Sequence, residues 1–193
     1  MRANRCVRVC ARLILLVIVT ATALLAPPPP LFAAGAPLAD PGLPATVPAI
    51  GRTWPVGLRP RVLRGWEPPA TVYGPGHRGV DLAAPAGTPV RAVAPGRVAF
   101  AGRVAGRGVI SVDLAGTGDP PLRTTYEPVT AAVEEGEEVE PGEVIGTVDA
   151  SGSHCTTTCV HWGLRRGEGY LDPLSLLPPW LLYRGPSRLL PLT

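Results

Sequence analysis

The sequence predicts an all-β fold made of short antiparallel strands. Between positions 89 and 148 the apolar residues come in short alternating runs that Gly and Pro interrupt. Such alternation over about four to eight residues indicates half-buried strands, and no window has the periodicity of an amphipathic helix. The expected strands are Pro89–Val93, Gly96–Ala101, Val109–Leu114, Leu122–Glu127 and Glu143–Val148.

A second observation is an internal repeat. The pattern G-x-x-V followed by P-G-x-V occurs at residues 87–98 and again at residues 136–144. A hairpin of this size does not bury an apolar face alone, so the repeat predicts two similar units that pack together. Biotinyl and lipoyl carrier domains use such hairpins, but they need a modifiable lysine. The chain contains no lysine, which excludes that class.

The first 36 residues have the organisation of a signal peptide. An apolar run, residues 13–25, follows an arginine-rich start and is shorter than the roughly 20 residues that a membrane-spanning helix needs. Four prolines at 27–30 end any helix, and Ala34-x-Ala36 fits a cleavage site. The organisation of residues 1–36 therefore predicts export. No stable membrane span is expected once the leader is removed. An uncleaved membrane anchor is the alternative.

Composition divides residues 37–193 into three segments. Residues 37–51 are rich in Pro and Ala and are expected to form an extended linker. The folded domain is expected over residues 52–177, followed by a tail rich in Pro and Leu at 178–193.

The charge of the mature part argues against a nucleic-acid partner. Four of the 18 basic residues lie in the leader, so residues 37–193 carry 14 arginines against all 15 acidic residues. A nucleic-acid-binding domain would carry a basic stripe on its folded part. The sequence shows none.

Cysteine positions predict one disulfide. Cys6 and Cys10 belong to the leader, which leaves Cys155 and Cys159 as the pair in an exported, oxidising setting. Bonding between them would close a very small loop. The alternative is a compact zinc knuckle in which both cysteines join the histidines that flank them, His154 and His161.

The chain has three histidines, so any chemistry that needs an imidazole depends on them. His77 lies four residues before Asp81 in a Gly-rich segment, and His161 lies in an alternating run that predicts a late strand. Two His and one Asp with an open fourth position are a sensible catalytic zinc shell. On these residues alone, a backbone-bonded turn for His77 and a satisfied core position for His161 are the more common cases, and both interpretations remain open.

The motifs resemble the lysostaphin/LytM-type peptidoglycan metallopeptidases. The match begins at His77-x-x-x-Asp81, continues through the two repeat copies and Tyr126, and ends at Val160-His161 and Asp172-Pro173. This resemblance implies a duplicated, hybrid-motif β-sandwich or barrel. It also implies a Zn²⁺ ion held by His77, Asp81 and His161, and action on peptidoglycan cross-bridge peptides in the cell wall.

Two departures from the family pattern bear on activity. The family places a histidine two residues after the tyrosine and another two residues before the last ligand, where this chain has Pro128 and Cys159. The resemblance implies that those histidines serve as base and oxyanion donor. Glu127 and His154 are the candidate replacements, although alternation should turn Glu127 away from position 128 and His154 lies in a loop.

The sequence therefore supports two functions. The first is a secreted zinc endopeptidase-like protein with reduced activity. The second is a non-catalytic zinc-binding relative that binds peptidoglycan or regulates another wall hydrolase.

Overall fold

Antiparallel strands form almost all the regular structure of the computed structural model, which describes residues 46–71 and 73–183. A 3₁₀ helix at Pro173–Leu176 and a four-residue helix, α1, at Pro179–Leu182 follow the last strand. The strands are β1 (Val62–Arg64), β2 (Gly79–Ala83), β3 (Pro89–Arg91), β4 (Gly96–Val104), β5 (Arg107–Leu114), β6 (Leu122–Glu127), β7 (Val129–Ala131), β8 (Glu138–Val139), β9 (Val144–Val148), β10 (Cys159–Arg166) and β11 (Gly169–Leu171).

The strands form two sheets. The larger has the order β1-β2-β10-β6-β5-β4-β8, with β11 paired to β10, and the smaller has the order β3-β9-β7. All five strands expected from alternation are present. The bounds of Leu122–Glu127 are the same in the prediction and in the structure. The prediction of an all-β fold of short antiparallel strands is confirmed.

The two copies of the repeat interlock. The first strand of copy one, β3, pairs with the second strand of copy two, β9. Likewise β4 of copy one pairs with β8 of copy two. The expectation of two units packed together is confirmed, but the expectation that each copy is a hairpin is wrong. This exchange of strands joins the two copies within both sheets.

A single core lies between the sheets. Trp162 of β10 is directly opposite Tyr126 of β6, which is opposite Ile110 of β5, and all three side chains are fully buried. Directly opposed residues share a face, so this row points into the core. The Trp162 indole N–H donates to the Thr124 hydroxyl at 2.6 Å, which fixes β10 against β6.

Contacts with the domain continue on both sides of residues 52–177. Ile50 packs against the core, and the Gly51 N–H donates to the Leu176 carbonyl at 2.7 Å. At the other end the Trp54 indole donates to the Leu181 carbonyl at 3.2 Å. The predicted leader, and most of the predicted linker and tail, lie outside the described residues.

No helix among the described residues is long and apolar enough to cross a membrane.

Candidate metal centre

Strand register brings the three expected ligands together. His161 of β10 is directly opposite Asp81 of β2, so both side chains lie on the face that Trp162 does not use. His77 precedes β2, and its backbone bridges to Glu67. Its ring reaches the same place, with Nε2 at 3.1 Å from Asp81 Oδ1.

A hydrogen bond from the other ring nitrogen of His77, Nδ1, orients this ring toward the cluster. Nδ1 lies 2.6 Å from the Gly65 carbonyl oxygen. A carbonyl only accepts hydrogen bonds, so Nδ1 carries the proton and donates it. A neutral His77 therefore turns the lone pair of Nε2 toward Asp81. Metal-bound imidazoles are commonly oriented by such an outer hydrogen bond.

The donor atoms of His77, Asp81 and His161 converge within hydrogen-bonding distance. Asp81 Oδ1 lies 3.1 Å from His77 Nε2 and 2.8 Å from His161 Nδ1, and the two nitrogens are 3.1 Å apart. A proton on His161 Nδ1 satisfies one of these contacts, but the lone pair of a neutral His77 still faces a carboxylate. A cation held among the three atoms would remove this repulsion.

The spacing also suits a metal ion. Ligands bound tetrahedrally at the usual zinc distances stand about 3.4 Å apart, so these three would spread by only about 0.5 Å to accept one. His77 and Asp81 are 5% and 2% exposed, which shields the donors from water. The residues present fit a bound zinc ion.

Asp81 is ionised throughout the physiological pH range. Burial is the largest influence and raises its pKa, but hydrogen bonds from His161 and His154 and the nearby His77 outweigh burial and lower the pKa to about 2. The cluster therefore always offers one anionic ligand.

Gly79 makes room for the cluster. A Cβ atom at this position would lie 2.4 Å from the Trp162 carbonyl oxygen and 2.6 Å from His161 Nε2. Neither Gly76 nor Gly79 is among the glycines with positive φ. Their importance is the lack of a side chain, since a Cβ at Gly76 would lie 2.6 Å from the Glu67 carbonyl oxygen.

Cys155 and Cys159 form the predicted disulfide, with their Cα atoms 6.1 Å apart. Bonded sulfurs cannot be thiolate ligands, which removes the zinc-knuckle alternative.

His154 joins the cluster although it lies in a loop. Its Nε2 is 3.0 Å from Asp81 Oδ2, while 39% of its side chain stays exposed. The donors of His77, Asp81, His154 and His161 all lie within 4.8 Å of one another. The expected loop position is confirmed, since His154 is exposed, and its imidazole also reaches the rim of the cluster. The disulfide helps to place it there, because it ties residue 155 to the start of β10.

The remaining candidates lie beside this cluster. Glu127 is directly opposite His161 in β6, on the same face, and its carboxylate is 3.7 Å from the Arg107 guanidinium. Pro128 is buried and lies close to Gly152 of the loop that carries His154. Proline can neither accept a proton nor donate one.

Fold and cluster define an all-β domain with a His/Asp site that could hold a metal ion. The chain belongs to peptidase family M23, whose family model matches residues 75–173. That match contains all four donors of the cluster.

Three relatives indicate how far the similarity extends. The chain is 43% identical over 129 residues to the uncharacterised proteins Rv2891 of Mycobacterium tuberculosis and Mb2915 of Mycobacterium bovis, which covers 64% of this chain and 50% of each relative. It is 36% identical over 103 residues to the DD-carboxypeptidase/endopeptidase Mpg of Neisseria meningitidis, covering 53% of this chain and 23% of Mpg. The chain thus spans half the length of its mycobacterial relatives, and less of Mpg.

Solved structures share the fold. A zinc-containing peptidase from Vibrio cholerae superimposes with a TM-score of 0.53 at 23% identity, over 67% of this chain and 41% of that one. The catalytic domain of lysostaphin from Staphylococcus simulans gives 0.51 at 24% identity, over 64% of this chain and 93% of that one. The predicted membership of the lysostaphin-type metallopeptidases is confirmed.

Proposed function

We propose that the protein is an exported, cell-wall-associated zinc endopeptidase-like protein that acts on peptidoglycan cross-bridge peptides with reduced activity. His77, Asp81 and His161 hold the ion. A zinc ion bound there would polarise a peptide carbonyl and make water more acidic.

One observation carries this proposal: two imidazole nitrogens and a buried carboxylate oxygen lie within 3.1 Å of one another in a domain of family M23. Membership of family M23 and the relative Mpg, which is named a DD-carboxypeptidase/endopeptidase, support peptide cleavage as the activity.

The reduction in activity follows from two positions. Pro128 and the disulfide-bonded Cys159 replace the histidines expected to serve as base and oxyanion donor. A general base contributes about 10²–10⁴-fold and an oxyanion donor about 10²–10³-fold to the rate. Glu127 is a candidate base, since it lies across from His161 on the same face.

The second candidate function is a non-catalytic zinc-binding relative that binds peptidoglycan or regulates another wall hydrolase. The specific observation that favours it is the disulfide, which occupies one of the two expected histidine positions with groups that cannot transfer a proton.

The proposal is tested by release of amino groups from purified peptidoglycan. Residues 37–193 loaded with zinc should release them slowly, and His77→Ala should release none because it lacks a ligand. Equal release by both proteins would contradict a zinc-dependent peptidase. No release by either, with zinc bound to the unsubstituted protein, would favour the non-catalytic function.

Restoring both histidines should raise the rate. Pro128→His and Cys159→His, combined with Cys155→Ser to avoid a free thiol, should release amino groups at least about 100-fold faster. Cys155→Ser with Cys159→Ser is the control that opens the disulfide alone. If the restored variant is no faster than this control, the missing pair is not what limits cleavage.

A further inference from the structure

His154 is a fourth donor that the three-ligand site does not use. Its Nε2 lies 3.0 Å from Asp81 Oδ2, whereas His77 and His161 contact the other carboxylate oxygen, Oδ1. The carboxylate thus has imidazoles on both its oxygens. The ring centroids of His154 and His161 are 5.5 Å apart, and those of His154 and His77 are 6.2 Å apart.

The position of His154 relative to solvent is informative. Side chains of His77, Asp81 and His161 are 6%, 3% and 13% exposed, and that of His154 is 39% exposed. His154 therefore lies on the solvent side of the cluster, which is the side from which water or a peptide would reach a bound ion.

The loop that carries His154 is held at several points. Cys155, the next residue, is bonded to Cys159, the first residue of β10. The Ser153 hydroxyl accepts from the Cys155 N–H at 3.3 Å and lies 3.2 Å from Cys159 Sγ. A loop held by such contacts loses little further freedom when one of its side chains binds an ion.

The start of the loop also has a backbone conformation that favours glycine, at position 152. Gly152 has a φ of 87°, which L side chains rarely adopt. A Cβ there would lie 2.9 Å from Arg107 Cγ. The turn before His154 therefore brings the loop close against β5.

We propose that His154 is the fourth protein ligand of the metal ion, so that the site is closed on its solvent side. This inference rests on the metal site of the proposed function and describes how that site is filled. Catalytic zinc sites keep a position open for water or substrate, whereas structural sites take all four ligands from the protein. A closed site would lower the rate of cleavage independently of Pro128 and Cys159.

The test uses the full chain loaded with Co²⁺, whose visible spectrum reports the ligands around the ion, and azide as a small external ligand. Azide should leave the spectrum of the unsubstituted protein unchanged, because four protein ligands fill the site. His154→Ala should gain an azide-dependent spectral change and bind Zn²⁺ at least about 100-fold more weakly. Thr156→Ala, an exposed change in the same loop, should behave like the unsubstituted protein.

Two further outcomes separate this inference from the proposed function. If azide alters the spectrum of the unsubstituted protein and His154→Ala keeps its affinity, while His77→Ala loses the ion, the three-ligand site stands and the fourth ligand is wrong. If His77→Ala binds Zn²⁺ as tightly as the unsubstituted protein, the metal site itself is wrong, and the role of His154 with it.

Discussion

Replacing Asp81 by alanine is expected to lower the affinity of the chain for zinc by about two to three orders of magnitude. Structural zinc sites bind with about 10–16 kcal/mol from four ligands, so one ligand accounts for roughly 3 kcal/mol, or at least about 100-fold. Asp81 should account for no less than this share because it is the cluster's only carboxylate and contacts all three imidazoles. Titration against a chromogenic chelator measures the affinity directly.

Asp113→Ala is the matched control. Asp113 is also a strand carboxylate, but it pairs with Arg123 at 2.6 and 2.8 Å and does not belong to the cluster. Its removal should leave zinc affinity unchanged. Equal losses in the two variants would mean that general charge, and not the cluster, attracts the ion.

Much of the fold could be predicted because alternation and burial have the same physical cause. A strand with one face against the core must alternate, and β6 shows this plainly: Leu122, Thr124 and Tyr126 are fully buried while the residues between them are partly exposed. The exchange of strands between the repeat copies could not be predicted. Pairing β3 with β9 and pairing β3 with β4 bury similar apolar faces, so the local pattern does not choose between them.

The candidate site was predictable where it lies on strands and less so where it lies in a loop. The resemblance named His77, Asp81 and His161, and the register of β2 and β10 brings two of them face to face. The contact between His154 and Asp81 depends on the path of residues 149–158, which has no periodic signal. Of the contacts that hold this path, only the short disulfide was predicted from the sequence.

The face of the sheet on which Glu127 lies could be predicted only in part from the sequence. Alternation separates Glu127 from position 128, but which of the two shares a face with His161 depends on strand register. In the structure Glu127 is directly opposite His161. Register follows from the pairing of Trp162 with Tyr126 in the core, because a slip of one residue would turn one of these two aromatic side chains to the other face.

Gly79→Ala is expected to lose both stability and metal binding. The added Cβ would lie 2.4 Å from the Trp162 carbonyl oxygen, which is backbone of the neighbouring strand and cannot rotate away. Strand β10 is also unable to shift, because the Trp162 side chain is fully buried and its indole N–H is bonded to Thr124. Overpacking of this kind costs about 3 kcal/mol, which corresponds to a fall in melting temperature of about 10 °C.

Metal binding should fail in the same variant for a separate reason. The Cβ would lie 2.6 Å from His161 Nε2, so the imidazole must tilt and carry its Nδ1 away from Asp81. Gly65→Ala is a demanding control, since the Gly65 carbonyl accepts from His77 Nδ1 and a Cβ there would meet nothing within 4 Å. That variant should melt and bind zinc like the unsubstituted protein. Should Gly79→Ala match it on both measurements, the close approach of β2 to the His161 ring would not be what positions this ligand.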